Sequence, residues 1–174
     1  MIKRLSTVAA LALGASFVLT PSAAHADAAG HCWTDVESGA SACFTTFAEV
    51  IDDLSGGALV HSGGPETFSQ EDAEALDVVA ASVPAAIVYE DAAYGGSSNT
   101  YVVAGACGTD TTVDYQINIS GTAWDDRISS FKSFNSCETK LWTGVYAGSS
   151  VGFVPNSSNV GATVNDAGSS LQWR

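Results

Sequence analysis

The chain has 174 residues, 46% of them hydrophobic, and nineteen Asp and Glu against six Lys and Arg give it a formal net charge of -13. So acidic a chain is repelled by phosphate backbones, which excludes nucleic acid as a partner, and it suits cations or a basic partner. Beyond the first 26 residues no apolar run is long enough to span a membrane.

Residues 1–26 read as a secretory leader. Met1-Ile2-Lys3-Arg4 is a basic start, Leu5 to Thr20 is apolar, and Ala24-His25-Ala26 is a small-residue cleavage site before Asp27. The mature protein is therefore expected to be secreted and extracellular, with a net charge of about -15 once Lys3 and Arg4 are gone. All four cysteines follow the leader, and an even number in an exported chain predicts two disulfides. Of the three possible connectivities, Cys32–Cys43 and Cys107–Cys137 each stay within one unit and are favoured. Zinc is disfavoured, because no CxxC spacing occurs and only His31 and His61 remain after cleavage.

Residues 27–86 read as an N-terminal α+β segment. HCWTDVESGASACF predicts a hairpin turned at Glu37-Ser38-Gly39-Ala40 and pinned by Cys32–Cys43. TTFAEVIDDLSGG predicts a short helix, capped by Thr46 with Glu49 three residues on and stopped by Gly56-Gly57. SQEDAEALDVVAA predicts a second helix capped by Ser69, with acids in its first turn. The apolar faces of these helices read as core.

Residues 87–174 change texture. Short runs of Val, Ile, Tyr, Thr and Ser between glycines predict antiparallel strands, and the segment is internally repeated as 88–136 and 137–174. VYEDAAYGGSS from Val88 aligns without a gap on KLWTGVYAGSS from Lys140, setting Tyr89 on Leu141, Tyr94 on Tyr146 and Gly96 on Gly148. The first repeat is longer by about twelve residues, the polar stretch around Cys107, read as a loop or strand extension. One unit cannot bury its apolar face alone, so the two predict a pair of packed sheets.

Each opening is followed by one frame: acid or amide, acid, two free residues, Ser, Ser. It reads DDRISS from Asp125 and NDAGSS from Asn165. One such hexapeptide reads as a capped turn, with Asp125 or Asn165 as the cap and Ser130 or Ser170 bonded to nearby backbone. Two at matched places point instead to oxygen-only nests for a hard cation. Calcium takes six to eight oxygens in irregular geometry, whereas magnesium demands a stricter octahedron.

The Tyr-x4-Tyr-x-Gly opening and the two frames resemble the Greek-key motifs of microbial βγ-crystallins. YEDAAYGG fits the opening fully. LWTGVYAG departs from it, with Leu141 at the first aromatic and Trp142 where the first repeat has Glu90. The resemblance covers about half of the chain and implies a mainly β, two-Greek-key sandwich with two calcium sites shared between the repeats. It implies side-chain oxygens from Asp126, Ser129, Asp166 and Ser169, and backbone carbonyls from Arg127, Ala167, Glu90 and Trp142. Asp125 and Asn165 would brace the loops. WDDRISSFKSFNSC followed by KLWTGVY is also similar to secreted actinobacterial metalloproteinase inhibitors of crystallin fold, which implies a secreted metalloprotease as a partner.

A calcium-binding extracellular module, possessed or not of inhibitory activity, is thus the expected function, with no membrane partner after leader cleavage and a monomeric state. The alternative is a carbohydrate- or cell-surface-binding module using Trp33, Trp124, Trp142 and Trp173. No G-x-S-x-G elbow and no metal-ligand histidine spacing marks an enzyme.

Overall fold

The computed structural model describes residues 30–174; the expected leader, residues 1–26, lies outside the described residues. The chain begins its described course in strand β1 (His31–Asp35) and returns in β2 (Ser41–Phe44). Gly39 takes the left-handed backbone that closes the turn, at φ 72°. Cys32 and Cys43 are directly opposed and disulfide-bonded, which fixes the register.

Helix α1 (Phe47–Ser55) starts at a reciprocal cap, in which Thr46 accepts from the Glu49 N–H and Glu49 accepts from the Thr46 N–H. It ends at Gly56 in the left-handed conformation. Helix α2 (Gln70–Val79) begins the same way, with Ser69 and Asp72 as the reciprocal pair. Phe47, Val50 and Ile51 of α1 join Ala73 and Leu76 of α2 in one buried cluster with Phe68. Ile87, Tyr89 and Phe134 complete that cluster from the sandwich.

The remaining strands are β3 (Val83–Tyr89), β4 (Ser98–Val103), β5 (Tyr115–Asn118), β6 (Ser130–Ser133), β7 (Thr139–Trp142), β8 (Ser150–Val154), β9 (Asn156–Ser157) and β10 (Ser170–Trp173). They form two sheets, ordered β2-β1-β4-β3-β6-β9 and β5-β10-β7-β8. The third strand of each repeat crosses over: β5 pairs with β10 of the second repeat, and β9 pairs with β6 of the first. This mutual exchange makes the fold a two-Greek-key, βγ-crystallin-like sandwich. Between the sheets lie Tyr101, Ile128, Phe131, Leu141, Leu171 and Trp173.

The resemblance left the first segment's placement open. β1 pairs with β4 in parallel from His31↔Ser98 to Asp35↔Val102, so the hairpin widens the first sheet. The helices cover that sheet's outer face. β3 is consequently buried on both faces, all seven residues of VPAAIVY, and the boundary between 86 and 87 falls inside it. A short uninterrupted apolar run is what a strand covered on both sides requires. The Cys107–Cys137 bridge is also formed, tying the long polar loop of the first repeat to the approach to β7.

Candidate metal centre

The register corrects the gapless alignment. Tyr89 pairs with Ser130 in the first repeat, and Trp142 pairs with Ser170 in the second. The Tyr89 carbonyl accepts from the Ser129 N–H at 2.9 Å, as the Trp142 carbonyl accepts from the Ser169 N–H at 2.8 Å. Trp142 is therefore the counterpart of Tyr89, and Leu141 that of Val88. Thr143 stands where the first repeat has Glu90: its N–H donates to Ser149 as that of Glu90 donates to Ser97. The second opening is one residue shorter, and the alignment hid this because Tyr-x-Gly is preserved in both. The carbonyl equivalent to that of Glu90 thus belongs to Thr143, not Trp142.

Each opening folds over its frame. Ser130 Oγ donates to the Asp91 carbonyl at 2.6 Å and accepts from the Tyr94 N–H at 3.0 Å. Ser170 Oγ repeats both bonds, to the Gly144 carbonyl at 2.7 Å and from the Tyr146 N–H at 2.8 Å. The last serine of each frame is therefore spent on the hairpin. Gly96 and Gly148 have φ of 75° and 92°, and a Cβ at either would lie 2.7 Å from a side-chain oxygen of Asp91 or Thr143. Tyr94 packs edge-on against Tyr89 at 5.4 Å between ring centres.

The preceding serines face across the repeats. Ser129 Oγ donates to Asp166 Oδ1 at 3.2 Å, and Ser169 Oγ donates to Asp125 Oδ1 at 2.8 Å. Asp126 and Asp166 both adopt the left-handed conformation, at φ 56° and 52°. That turns the two frames through the same bend. The Asp126 N–H donates to the Gly168 carbonyl, and the Asp166 N–H to that of Ile128, so the two loops clasp each other.

The first cleft is lined by Glu90, Asp91, Ala92, Asp126, Arg127, Ser129, Asn165 and Asp166. Arg127 Nη2 donates to Glu90 Oε1 at 2.7 Å, holding the Glu90 carboxyl below the usual carboxylate range with help from Ser97. Asn165 Nδ2 donates to Asp166 Oδ2 at 2.6 Å, a bracing contact. The second frame's surroundings are different. Asp125 accepts from the Gly121 N–H at 2.7 Å as well as from Ser169, and these bonds lower its pKa in that order. Asp125 thus braces its loop and also reaches the opposite serine, beyond the bracing role read for it. Ala167 has no side-chain oxygen to add.

Among the described residues no three His, Cys, Asp or Glu side chains converge closely enough to hold a metal alone. A cation here needs mixed donors: carboxylate, hydroxyl, amide and backbone carbonyl. That oxygen-only set fits a calcium-type ion and gives a soft metal nothing to bind.

Of the tryptophans, Trp173 and Trp124 are buried. Trp33 donates to Asp53 Oδ2 at 2.7 Å, and Trp142 donates to Gln172 Oε1 at 2.9 Å under the Lys140 ammonium. No helix among the described residues is long and apolar enough to cross a membrane.

No protein-family profile matches the chain, and no curated protein does. Solved structures do. A βγ-crystallin domain from Flavobacterium johnsoniae is 24% identical over 52% of this chain and 93% of its own, with a TM-score of 0.38. A βγ-crystallin domain from Clostridium beijerinckii is 19% identical over 51% of this chain and 95% of its own, with a TM-score of 0.39. A clostrillin double mutant in complex with nickel is 18% identical over the same shares, with a TM-score of 0.39.

Proposed function

We propose that the chain is a secreted, calcium-binding βγ-crystallin-like protein with two ion sites, each shared between the repeats. The observation that carries this reading is reciprocal: the free serine of each frame reaches a carboxylate of the other, Ser129 to Asp166 and Ser169 to Asp125. In the first cleft the Glu90 carbonyl, Ser129 Oγ and the Asp166 carboxylate would hold the ion. In the second, the Thr143 carbonyl, Ser169 Oγ and the Asp125 carboxylate would do so. A bound ion would neutralise acids that otherwise repel one another, and it would cross-link the halves of the sandwich. The leader and the two disulfides support an extracellular setting. Calcium titration by calorimetry on the mature protein tests the reading: two binding events are expected, and the absence of binding heat with identical melting temperatures in calcium and chelator ends it.

A second reading, inhibition of a secreted metalloprotease, draws on one loop. Residues 108–114 are all exposed, Val113 at 42% among them. The loop is anchored by Cys107–Cys137 and braced by Gly108 N–H to Asp114 and Thr112 to Asp110. An inhibitor needs such a pre-organised, non-catalytic loop. Inactivity at micromolar concentration against thermolysin-type and other secreted metalloproteases would remove this reading and leave the calcium module.

A further inference from the structure

The two frames are sequence twins, but only one carries a cation of its own. In the first cleft the Arg127 guanidinium is held at three points. Nη2 donates to Glu90 Oε1 at 2.7 Å, Nη1 donates to the Ala123 carbonyl at 3.2 Å, and the group lies over the Trp124 ring at 5.3 Å. The surrounding polar side chains are Asp91, Asp126, Ser129, Asn165 and Asp166. A planar, permanently charged group thus sits at the wall of an acidic cleft, paired with the side chain of the residue whose backbone carbonyl the ion would need. At the matched places of the second frame stand Ala167 for Arg127 and Thr143 for Glu90. Neither is charged, so that clamp has no internal counter-ion.

We infer that Arg127 is a built-in competitor for the first clamp, so that the protein binds two calcium ions with unequal affinity and fills the second clamp first. This rests on the calcium reading above. A divalent ion entering the first cleft meets a positive charge already paired with Glu90. It must loosen that pair or accept its repulsion, whereas the matched residues of the second frame, Thr143 and Ala167, carry no charge to oppose entry. The same guanidinium steadies the ion-free form, because it offsets acids that would otherwise face one another unshielded. Arg127 therefore acts in opposite directions on the empty and filled states. A surface ion pair with a merely structural role would act on both alike.

The test compares wild type with Arg127→Met, which keeps an apolar stem for Trp124, and with Arg127→Gln, which keeps a donor for Ala123. Calcium calorimetry on wild type is expected to show two steps at least about tenfold apart, or about 1.4 kcal/mol. Ser129→Ala should abolish the weaker one. Both Arg127 variants should tighten the weaker step by about tenfold and leave the stronger unchanged. Their melting temperature in chelator should fall while the rise produced by calcium grows. Unchanged affinities, or equal losses of melting temperature with and without calcium, would overturn the role of Arg127 while two binding steps still upheld the calcium reading. Absence of calcium heat in all proteins would overturn both together.

Discussion

The two Greek keys share a frame but not their surroundings. β3 of the first is sealed on both faces, inward by the sandwich and outward by α1, α2 and Phe68. β7 of the second is sealed only inward: Lys140 lies at 3.9 Å over Trp142 on the open face, and Arg174 lies over Phe153 at 4.4 Å while paired with Glu138. Even the frames are filled differently. Ile128 is fully buried, while its counterpart Gly168 has no side chain because Leu141 Cδ1 lies 2.7 Å from where a Cβ would stand. The contrast teaches that the repeat specifies the turn and the clasp. What packs on either side is specified separately, by residues outside the motif.

The sharpest way to break this comparison is to hollow out the cover of the first key. Phe68 contacts Phe47 and Phe134 edge-on, at 5.6 and 5.2 Å. Phe68→Ala should cost about 3–5 kcal/mol in urea unfolding, whereas Phe153→Ala on the open face of the second key should cost less than about 1 kcal/mol. Similar losses would mean that the two sheets are equally supported.

Next in size is the bridge between the keys. Cys107–Cys137 closes a separation of 30 residues. Replacing both cysteines by serine should cost about 3–4 kcal/mol by the chain-entropy relation, and the separation of 11 in Cys32–Cys43 about 3 kcal/mol. Denaturant midpoints of the two double variants measure the difference, and a reversed order would show that strain or residual structure dominates.

Calcium comes third. At a hundred times its dissociation constant, each ion that binds only the folded state should add about 2.7 kcal/mol. Ser129→Ala and Ser169→Ala should each reduce the calcium-induced rise in melting temperature and leave the chelated protein nearly unchanged. Scanning calorimetry with both variants asks whether the two clamps contribute separately or as one unit.

The smallest effect separates the first key's cover from the rest by pH. His31 Nδ1 lies 2.9 Å from Ser98 Oγ, and burial lowers the pKa of His31 from its ordinary 6.5, with Glu66 opposing weakly. The unfolded chain therefore binds a proton more readily than the folded one. This contribution is complete above about pH 6.5 and declines as pH falls toward the lowered value. Urea midpoints between pH 5 and 7.5 should show the decline in wild type and lose it in His31→Gln.

Local signals carried much of this architecture. Thr46 and Glu49 announce α1, Gly56 ends it, and the paired frames announce the clasped turns. Three things were not legible, for different reasons. The parallel union of β1 with β4 depends on hydrogen bonds between segments 67 residues apart, and neither strand's sequence names its partner. The true place of Trp142 depends on which residue lies opposite Ser170, a matter of register that a one-residue gap conceals. The reach of Ser169 to Asp125, a residue read only as a loop brace, depends on the loop that Gly121 braces. The double burial of β3 did have a signal, VPAAIVY, an apolar run with no polar alternation.

The parallel strand β1 also sets a schedule for folding. Its hairpin with β2 needs only neighbouring residues, so it can form and oxidise early. Its second partner, β4, is joined far along the chain, and the helices between them need β3 before their apolar faces are covered. Pairings of such long sequence separation are slow, because loop-closure entropy is lost before the contacts that compensate it form. The Cys32–Cys43 bridge fixes the register of β1 through its near neighbour β2, so the distant union with β4 has one alignment fewer to find.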